Sequence, residues 1–359
     1  MAMAPISPPH AMGSNRTRTI MLQVLGATLP GVALLTWFFG WGTLINILLA
    51  SCFALVIEAL ILHLRKRPVM FFLNDGSALV TAWLLALALP PYSPWWLVLV
   101  ATGFAMVFGK HLYGGLGQNP FNPAMLGYAA VLVSFPVEMT SWPVWRGIEQ
   151  LQPALTPTLG LLEGLQRVFI PGSLPADGWT TATALDVVRN NSALTMAELR
   201  ATEPALGGMA GRAWEWVSLA WLAGGLFLLY KRIYSWHAPV GMLGALALMS
   251  LLFWNGDGSA SNGSPLFHLL GGATMLGAFF IVTDPVSSAT SPRGRLVFGA
   301  GVGVLVYVIR VWGNYPDAVA FAVLLMNLCA PTIDYYTAPR TYGHARATRG
   351  MGKGQSERH

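Results

Sequence analysis

The chain has 359 residues, of which 54% are hydrophobic and only 10% are charged. Soluble domains carry about 25% charged residues, so this composition excludes an ordinary soluble protein and indicates a polytopic membrane protein. The formal net charge is +6, but the basic residues alternate with apolar stretches. That distribution is typical of membrane topology and not of a nucleic-acid-binding patch, so no nucleic-acid partner is expected. Neither the two cysteines nor the histidines have metal-ligand spacing, and no metal site is predicted.

Ten apolar stretches predict transmembrane helices, because a helix needs about 20 apolar residues to cross the hydrocarbon core. Several are short and bounded by Pro or Gly, so some of these helices are expected to be tilted or broken. The stretches are 19–39, 42–62, 76–90, 95–109, 121–135, 214–230, 238–254, 266–283, 295–312 and 317–334.

Lys and Arg are concentrated in alternate connections between these stretches. The short connections of the opposite set carry none, and only the long segment 136–213 on that side contains several. By the positive-inside rule, both termini, 1–18 and 335–359, are predicted to be cytoplasmic and segment 136–213 to lie outside.

A faint internal repeat relates the two parts of the chain. SALVTAWLLALALPPYS, from Ser77, aligns with GATMLGAFFIVTDPVSS, from Gly272, and NPAMLGYAAVLV aligns with YPDAVAFAVLLM. The sequence therefore predicts two inverted five-helix halves, 19–135 and 214–334, with a site near their interface where helices are broken. The alternative is chance, since apolar residues align easily.

A polar heptad, DGWTTAT, occupies Asp177–Thr183 in the long outer segment, and DPVSSAT repeats its spacing at Asp284–Thr290. Both match the pattern D-x-x-[ST]-x-A-T that flavin transferases recognise. The alternative is structural: Asp177 and Thr180 cap a short helix, as such residues often do.

Three longer motifs carry a resemblance to a known family. They are FGKHLYGGLGQNPFNPAMLGYA (Phe108–Ala129), TDPVSSATSPRGRLVFGA (Thr283–Ala300) and NYPDAVAFAVLLMNLCAPTIDYYTAPRTYGH (Asn314–His344). They resemble the membrane subunits of the NqrB/RnfD family, and RnfD of the Rnf complex more than NqrB of the sodium-pumping NADH:quinone oxidoreductase. The resemblance covers nearly all of the chain from the first helix to the tail.

The resemblance implies an electron-transfer subunit of a complex in the bacterial inner membrane. The complex exchanges electrons between NADH and ferredoxin and couples this to Na⁺ or H⁺ translocation. FMN would be joined by a phosphoester to Thr183, with Asp177, Thr180 and Ala182 as recognition positions for the flavin transferase. Thr290 would stay unmodified, because Arg293 and Arg295 place its connection on the cytoplasmic side.

The implied partners are a second subunit with covalent FMN on the periplasmic side, iron–sulfur subunits and small membrane subunits. The family also makes a second, non-covalent flavin such as riboflavin plausible. The chain lacks a cysteine cluster for an iron–sulfur centre and a dinucleotide fingerprint. It therefore carries no complete site for NADH or ferredoxin, and partners must handle both.

Ionisable residues in or beside the apolar stretches are candidates for an ion path, because such groups are costly within a membrane. Taken singly, each is also explained as a helix cap or a surface charge. The candidates are Glu58, Asp75, Asp284, Asp317 and Asp334.

Two other functions remain open from the residues alone. A solute channel or transporter also uses inverted five-helix halves, and nothing but the heptad demands a redox group. A quinone-reducing subunit of the NqrB type is the other alternative, although the chain lacks an extended N-terminal region.

Overall fold

The computed structural model describes residues 14–115, 117–148, 159–170, 172, 179–259, 261–313 and 318–338. Within these residues the regular secondary structure is helical, and β-structure is limited to isolated bridges. The predicted all-α class is thus confirmed for the described part of the chain.

The first half contains six helices. They are α1 (Ser14–Phe39), α2 (Gly42–Leu64), α3 (Val69–Leu73), α4 (Ser77–Ala88), α5 (Trp95–Phe104, continued by a π-helical segment, Ala105–His111) and α6 (Pro123–Ser134).

The described residues of the segment between the halves contain four short helices. They are α7 (Pro136–Thr140), α8 (Leu161–Phe169), α9 (Ala184–Asn190) and α10 (Met196–Thr202).

The second half also contains six helices. They are α11 (Arg212–Tyr230), α12 (His237–Leu252), α13 (Pro265–Leu270), α14 (Thr274–Leu276, continued by a π-helical segment, Gly277–Ile281), α15 (Pro292–Trp312) and α16 (Val319–Thr337).

Each of the ten predicted stretches coincides with a helix or a broken helix. In the described part of the chain, five helices are long and apolar enough to cross a membrane, namely Thr17–Phe39, Gly42–Leu64, Arg212–Tyr230, Pro292–Trp312 and Val319–Thr337. Shorter apolar helices account for most of the other stretches, and 266–283 is the broken pair α13 and α14. The chain is a multi-pass membrane protein.

The break between α13 and α14 is held by side chains of α11, α14 and α15. Within a membrane, carbonyls that leave a helix ladder need another partner. Ser218 Oγ donates to Leu270 O at 2.7 Å, Thr274 Oγ1 donates to His268 O at 2.8 Å, and Arg310 Nη1 donates to His268 O at 2.9 Å. The break is therefore a fixed part of the fold.

The two halves meet along α1, α6, α11 and α16. Helix α1 packs on α11, and α6 packs on α16. The indole of Trp221, on α11, is fully buried against Gly31 of α1, where any Cβ would collide with the ring. This close approach fixes the distance between the halves beside the candidate site.

Candidate functional site

The described part of the first heptad, residues 179–183, runs extended beside residues 142–144. Val144 N donates to Trp179 O at 3.0 Å, and Thr181 N donates to Trp142 O at 3.2 Å. Thr180 forms an antiparallel bridge with Pro143. Asp177 lies outside the described residues. These hydrogen bonds fix the backbone on both sides of Thr180. The pairing with residues 142–144 ends before Thr183, so the position of Thr183 is fixed by the paired residues that precede it.

Thr183 is the N-cap of α9. Its Oγ1 donates to Asp186 Oδ2 at 2.6 Å, and Asp186 N donates back to Thr183 Oγ1 at 3.3 Å. A short helix does follow the heptad, but the suggestion that Thr180 caps it was wrong: Thr180 is in the bridge and Thr183 caps. Thr183 is half-buried and Ala182 is exposed.

A cavity of about 220 Å³ opens beside Thr183 at the interface of the halves. We call it the Thr183 cavity. Its walls include six apolar and aromatic side chains: Leu35, Tyr128, Leu132, Trp142, Trp214 and Trp221. The α13–α14 break, at Gly271 and Gly272, also lines it. The cavity is thus an aromatic site with Thr183 among its lining residues.

A second cavity, of about 340 Å³, lies further along the same interface. We call it the Asp284 cavity. Its polar lining includes Ser77, Lys110, Asn122, Asp284 and Arg295, and other polar residues and apolar residues complete the walls. Asn122 Nδ2 donates to Asp284 Oδ2 at 3.4 Å, which joins the two halves across this cavity.

The two cavities are neighbours along the interface. Leu87 lines the Thr183 cavity and Leu84 lines the Asp284 cavity. These residues are three apart on α4, which is about 4.5 Å along the helix. Trp221 lines the first cavity and Phe280 the second, with their ring centroids 5.9 Å apart. The aromatic contact between Trp221 and Phe280 therefore connects the two cavities.

Asp284 begins an ordered turn immediately after α14. Its carboxylate accepts from Val286 N at 3.1 Å and from Ser287 Oγ at 2.7 Å. Burial raises the pKa of the Asp284 carboxyl, although these hydrogen bonds and the Asn122 amide act in the opposite direction. The hydrogen bonds to Asp284 therefore make the second heptad an ordered connection between α14 and α15.

Thr290, the last residue of the second heptad, is exposed. Its backbone N donates to Asp334 Oδ1 at 2.8 Å, which ties the connection to the end of α16. Asp334 thus has a structural contact of its own.

A buried network in the first half links two of the ion-path candidates. Lys110 Nζ lies 2.5 Å from Glu58 Oε1 and donates to Ser77 Oγ at 2.7 Å. Ser77 Oγ donates to Asp75 Oδ1 at 2.6 Å. His111 Nε2 lies 3.5 Å from Glu58 Oε1. The sequence singled out Glu58 and Asp75 but treated Lys110 only as a marker of topology, whereas its side chain is buried at the wall of the Asp284 cavity.

The described ion-path candidates lie at three places. Glu58 and Asp75 share the Lys110 network, Asp284 lies in its cavity, and Asp334 contacts Thr290. Asp317 lies outside the described residues. Whether these groups line one path stays a prediction.

A family model described as the NQR2, RnfD, RnfE family matches residues 5–343 of the chain. The chain belongs to this family. The resemblance inferred from the motifs is confirmed.

Highly similar relatives cover almost the whole chain, and each is named as the D subunit of an ion-translocating oxidoreductase complex. The relative from Ectopseudomonas mendocina (strain ymp) is 67% identical over 355 residues, which is 99% of this chain and 100% of the relative. The one from Pseudomonas aeruginosa (strain UCBPP-PA14) is 64% identical over 354 residues, again 99% and 100%. The one from Cellvibrio japonicus (strain Ueda107) is 55% identical over 356 residues, 97% of each chain.

Two of the motifs that indicated the NQR2, RnfD, RnfE family converge on the Asp284 cavity. Phe108–Ala129 contributes Lys110 and Asn122, and Thr283–Ala300 contributes Asp284 and Arg295. These motifs lie in opposite halves of the chain. Their position at one cavity results from folding and could not be predicted from the spacing of residues in the sequence.

Proposed function

We propose that the chain is the electron-transfer subunit of an ion-translocating oxidoreductase complex of the Rnf type. It would carry FMN on Thr183 through a phosphoester. The names of the relatives support the complex. The observation that supports a bound FMN is the position of Thr183. This residue is the acceptor threonine of the heptad pattern, and it also lines an aromatic cavity.

The residues of the Thr183 cavity fit a flavin. Trp142, Trp214 and Tyr128 offer aromatic surface to a flat ring, and aromatic pairs prefer stacked or edge-to-face contact. The bound group would supply a ring that accepts two electrons and releases them singly. Attachment replaces the proton on Thr183 Oγ1, so this oxygen can no longer donate to Asp186 and the two groups must separate.

The Asp284 cavity is the place we propose for a second, non-covalent flavin such as riboflavin. Lys110 and Asn122 offer donors for ring carbonyls, Asp284 offers an acceptor for a ring N–H, and apolar side chains surround them. The contact between Trp221 and Phe280 would then lie between the two flavins.

The membrane topology and the coupling belong to the same proposal. Ten spans would form two inverted halves in the inner membrane, with both termini cytoplasmic and Thr183 on the outer face. There a flavin transferase and a second flavoprotein subunit reach it. The complex would couple NADH–ferredoxin electron exchange to Na⁺ or H⁺ movement, and Glu58, Asp75, Asp284, Asp317 and Asp334 are the ion-path candidates on this chain.

A solute transporter is the alternative that one observation favours. Cavities at the interface of two halves are typical of transporters with inverted repeats. Such a protein would show solute flux in vesicles and carry no covalent flavin.

The test is in-gel flavin fluorescence of the denatured chain after co-expression with a flavin transferase. The wild-type chain should give a fluorescent band. Thr183→Val should abolish it because the acceptor hydroxyl is lost, and Thr183→Ser should keep it.

Thr195→Val is the matched control, because Thr195 caps α10 with the same geometry. Thr195 Oγ1 donates to Glu198 Oε2 at 2.8 Å, and Glu198 N donates to Thr195 Oγ1 at 3.3 Å. Losing a threonine N-cap costs about 1 kcal/mol in either helix, but only Thr183 is the proposed acceptor. A band that survives Thr183→Val, or a wild-type chain without one, overturns the proposal.

A further inference from the structure

Helix α8 has three distinct sides although it comprises only nine residues. Gly164 and Val168 are buried against the protein, and Glu163 is exposed on a polar edge. Leu162 and Phe169, two turns apart and so on one edge, are 81% and 49% exposed. An exposed apolar edge between a protein side and a polar side is the pattern of a helix lying in a membrane surface.

The depth of α8 can be taken from its contacts with α2. Val168, Ile45, Tyr92 and Trp179 form one small apolar cluster, against which Leu49 packs. Ile45 and Leu49 lie three and seven residues after Gly42, where α2 begins. At 1.5 Å per residue they are ~5 Å and ~10 Å along this span from its end.

Amphipathic helices at membrane surfaces bury their apolar face about 5–10 Å into the boundary between headgroups and acyl chains. Helix α8 therefore lies at the depth where lipid, not water, surrounds the protein. The side of α2 that faces away from the protein supports this, since Leu48 is 70% exposed and apolar residues follow it along the span.

We propose that α8 is an interfacial anchor whose edge formed by Leu162 and Phe169 inserts among the acyl chains of the leaflet on the side of segment 136–213. Its partner is the lipid itself. This inference stands on the contacts and exposure of α8 and does not depend on the flavin at Thr183.

The anchor has a direct connection to the heptad. The guanidinium of Arg167, on α8, lies 3.8 Å above the ring of Trp179, and the same ring contacts Tyr92, with 5.7 Å between centroids. Trp179 begins the extended residues that lead to Thr183. Helix α8 thus sets the height of the heptad relative to the membrane.

The test is nitroxide accessibility in the intact complex, reconstituted in lipid nanodiscs. Cys52 and Cys329 are replaced by Ala, and a spin label is placed at Leu162→Cys, at Phe169→Cys or, as the matched control, at Glu163→Cys. Power saturation then compares collisions with oxygen, which concentrates in lipid, and with a water-soluble nickel chelate.

Labels at residues 162 and 169 should collide with oxygen several-fold more than the label at 163, which should favour the nickel chelate. Nickel collisions at 162 and 169 equal to those at 163 would place α8 in water. Low collisions with both reagents would mean that another subunit covers this edge. Either result overturns the proposal.

Discussion

The side chain of Lys110 is buried in the first half. Its ammonium contacts the Glu58 carboxylate and the Ser77 hydroxyl, and Lys110 and Glu58 are both almost fully buried. A charge within a membrane protein is tolerable when an opposite charge is beside it. Any cation that binds at Glu58 must therefore compete with the Lys110 ammonium. The ion-path hypothesis requires that Lys110 give up this contact when the cation binds.

We predict that Lys110→Met destabilises the protein by about 3–5 kcal/mol, because Glu58 is left buried and charged without its main partner. The double variant Glu58→Gln with Lys110→Met should recover most of the loss, since neither charge remains. Steric trapping in bicelles would measure the free energy of unfolding. A double variant whose loss equals the sum of the losses in Lys110→Met and Glu58→Gln would show that the pair is not energetically coupled.

At the scale of helices, glycines determine how closely α12 and α15 approach. A Cβ on Gly299 would collide with Ala238 O, and one on Gly303 would collide with Met242 O. On α12, a Cβ on Gly241 would lie 2.5 Å from Leu296 O. Small residues four apart on one face let membrane helices pack backbone to backbone, and van der Waals contact is the main force available in lipid.

We expect Gly303→Ala to destabilise the protein by about 1–3 kcal/mol, because the methyl group forces the two helices apart. Gly244→Ala on α12 is the matched control, since no atom outside its own helix lies within 4 Å of the added Cβ. The apparent Tm of the purified complex should fall for Gly303→Ala and stay the same or rise for Gly244→Ala. Equal effects would refute the contact as the cause.

At the scale of the whole molecule, the helix positions followed from the sequence because apolarity is a local property. Broken helices were expected in general, because several stretches are short and bounded by Pro or Gly, but the position of the break at Gly271 and Gly272 was not predicted. The burial of Lys110 was not predicted either, because its partner Glu58 is 52 residues away and a lysine beside an apolar stretch looks like a topology signal. Similarly, the capping role of Thr183 depends on where the bridge to Pro143 ends.

The site was predictable only in part for the same reason. The residue pattern of the heptad identified Thr183. The Thr183 cavity, however, is formed by residues of α1, α4, α6, α11 and the α13–α14 break. No spacing relates those elements. Trp142 and Trp214 line this cavity and contact each other with centroids 5.2 Å apart, and no spacing in the sequence relates these two residues.

The two heptads are predicted to face opposite sides of the membrane. We expect Ala193→Cys, in an exposed loop of segment 136–213, to react with a membrane-impermeant maleimide in intact spheroplasts. Thr290→Cys, also exposed, should react only after the membrane is opened, because the basic residues of its connection favour the cytoplasm. Both variants are made with Cys52 and Cys329 replaced by Ala.

The reverse labelling would invert the topology and exchange the roles of the two threonines. Thr290 would then face the flavin transferase, and Thr290→Val, not Thr183→Val, should remove the fluorescent band. Agreement between labelling and fluorescence would tie the modified residue to its side of the membrane by two independent measurements. If Thr183 were labelled by flavin but segment 136–213 faced the cytoplasm, the transferase would have to act on the cytoplasmic side, and the distribution of Lys and Arg would not set the orientation of this chain.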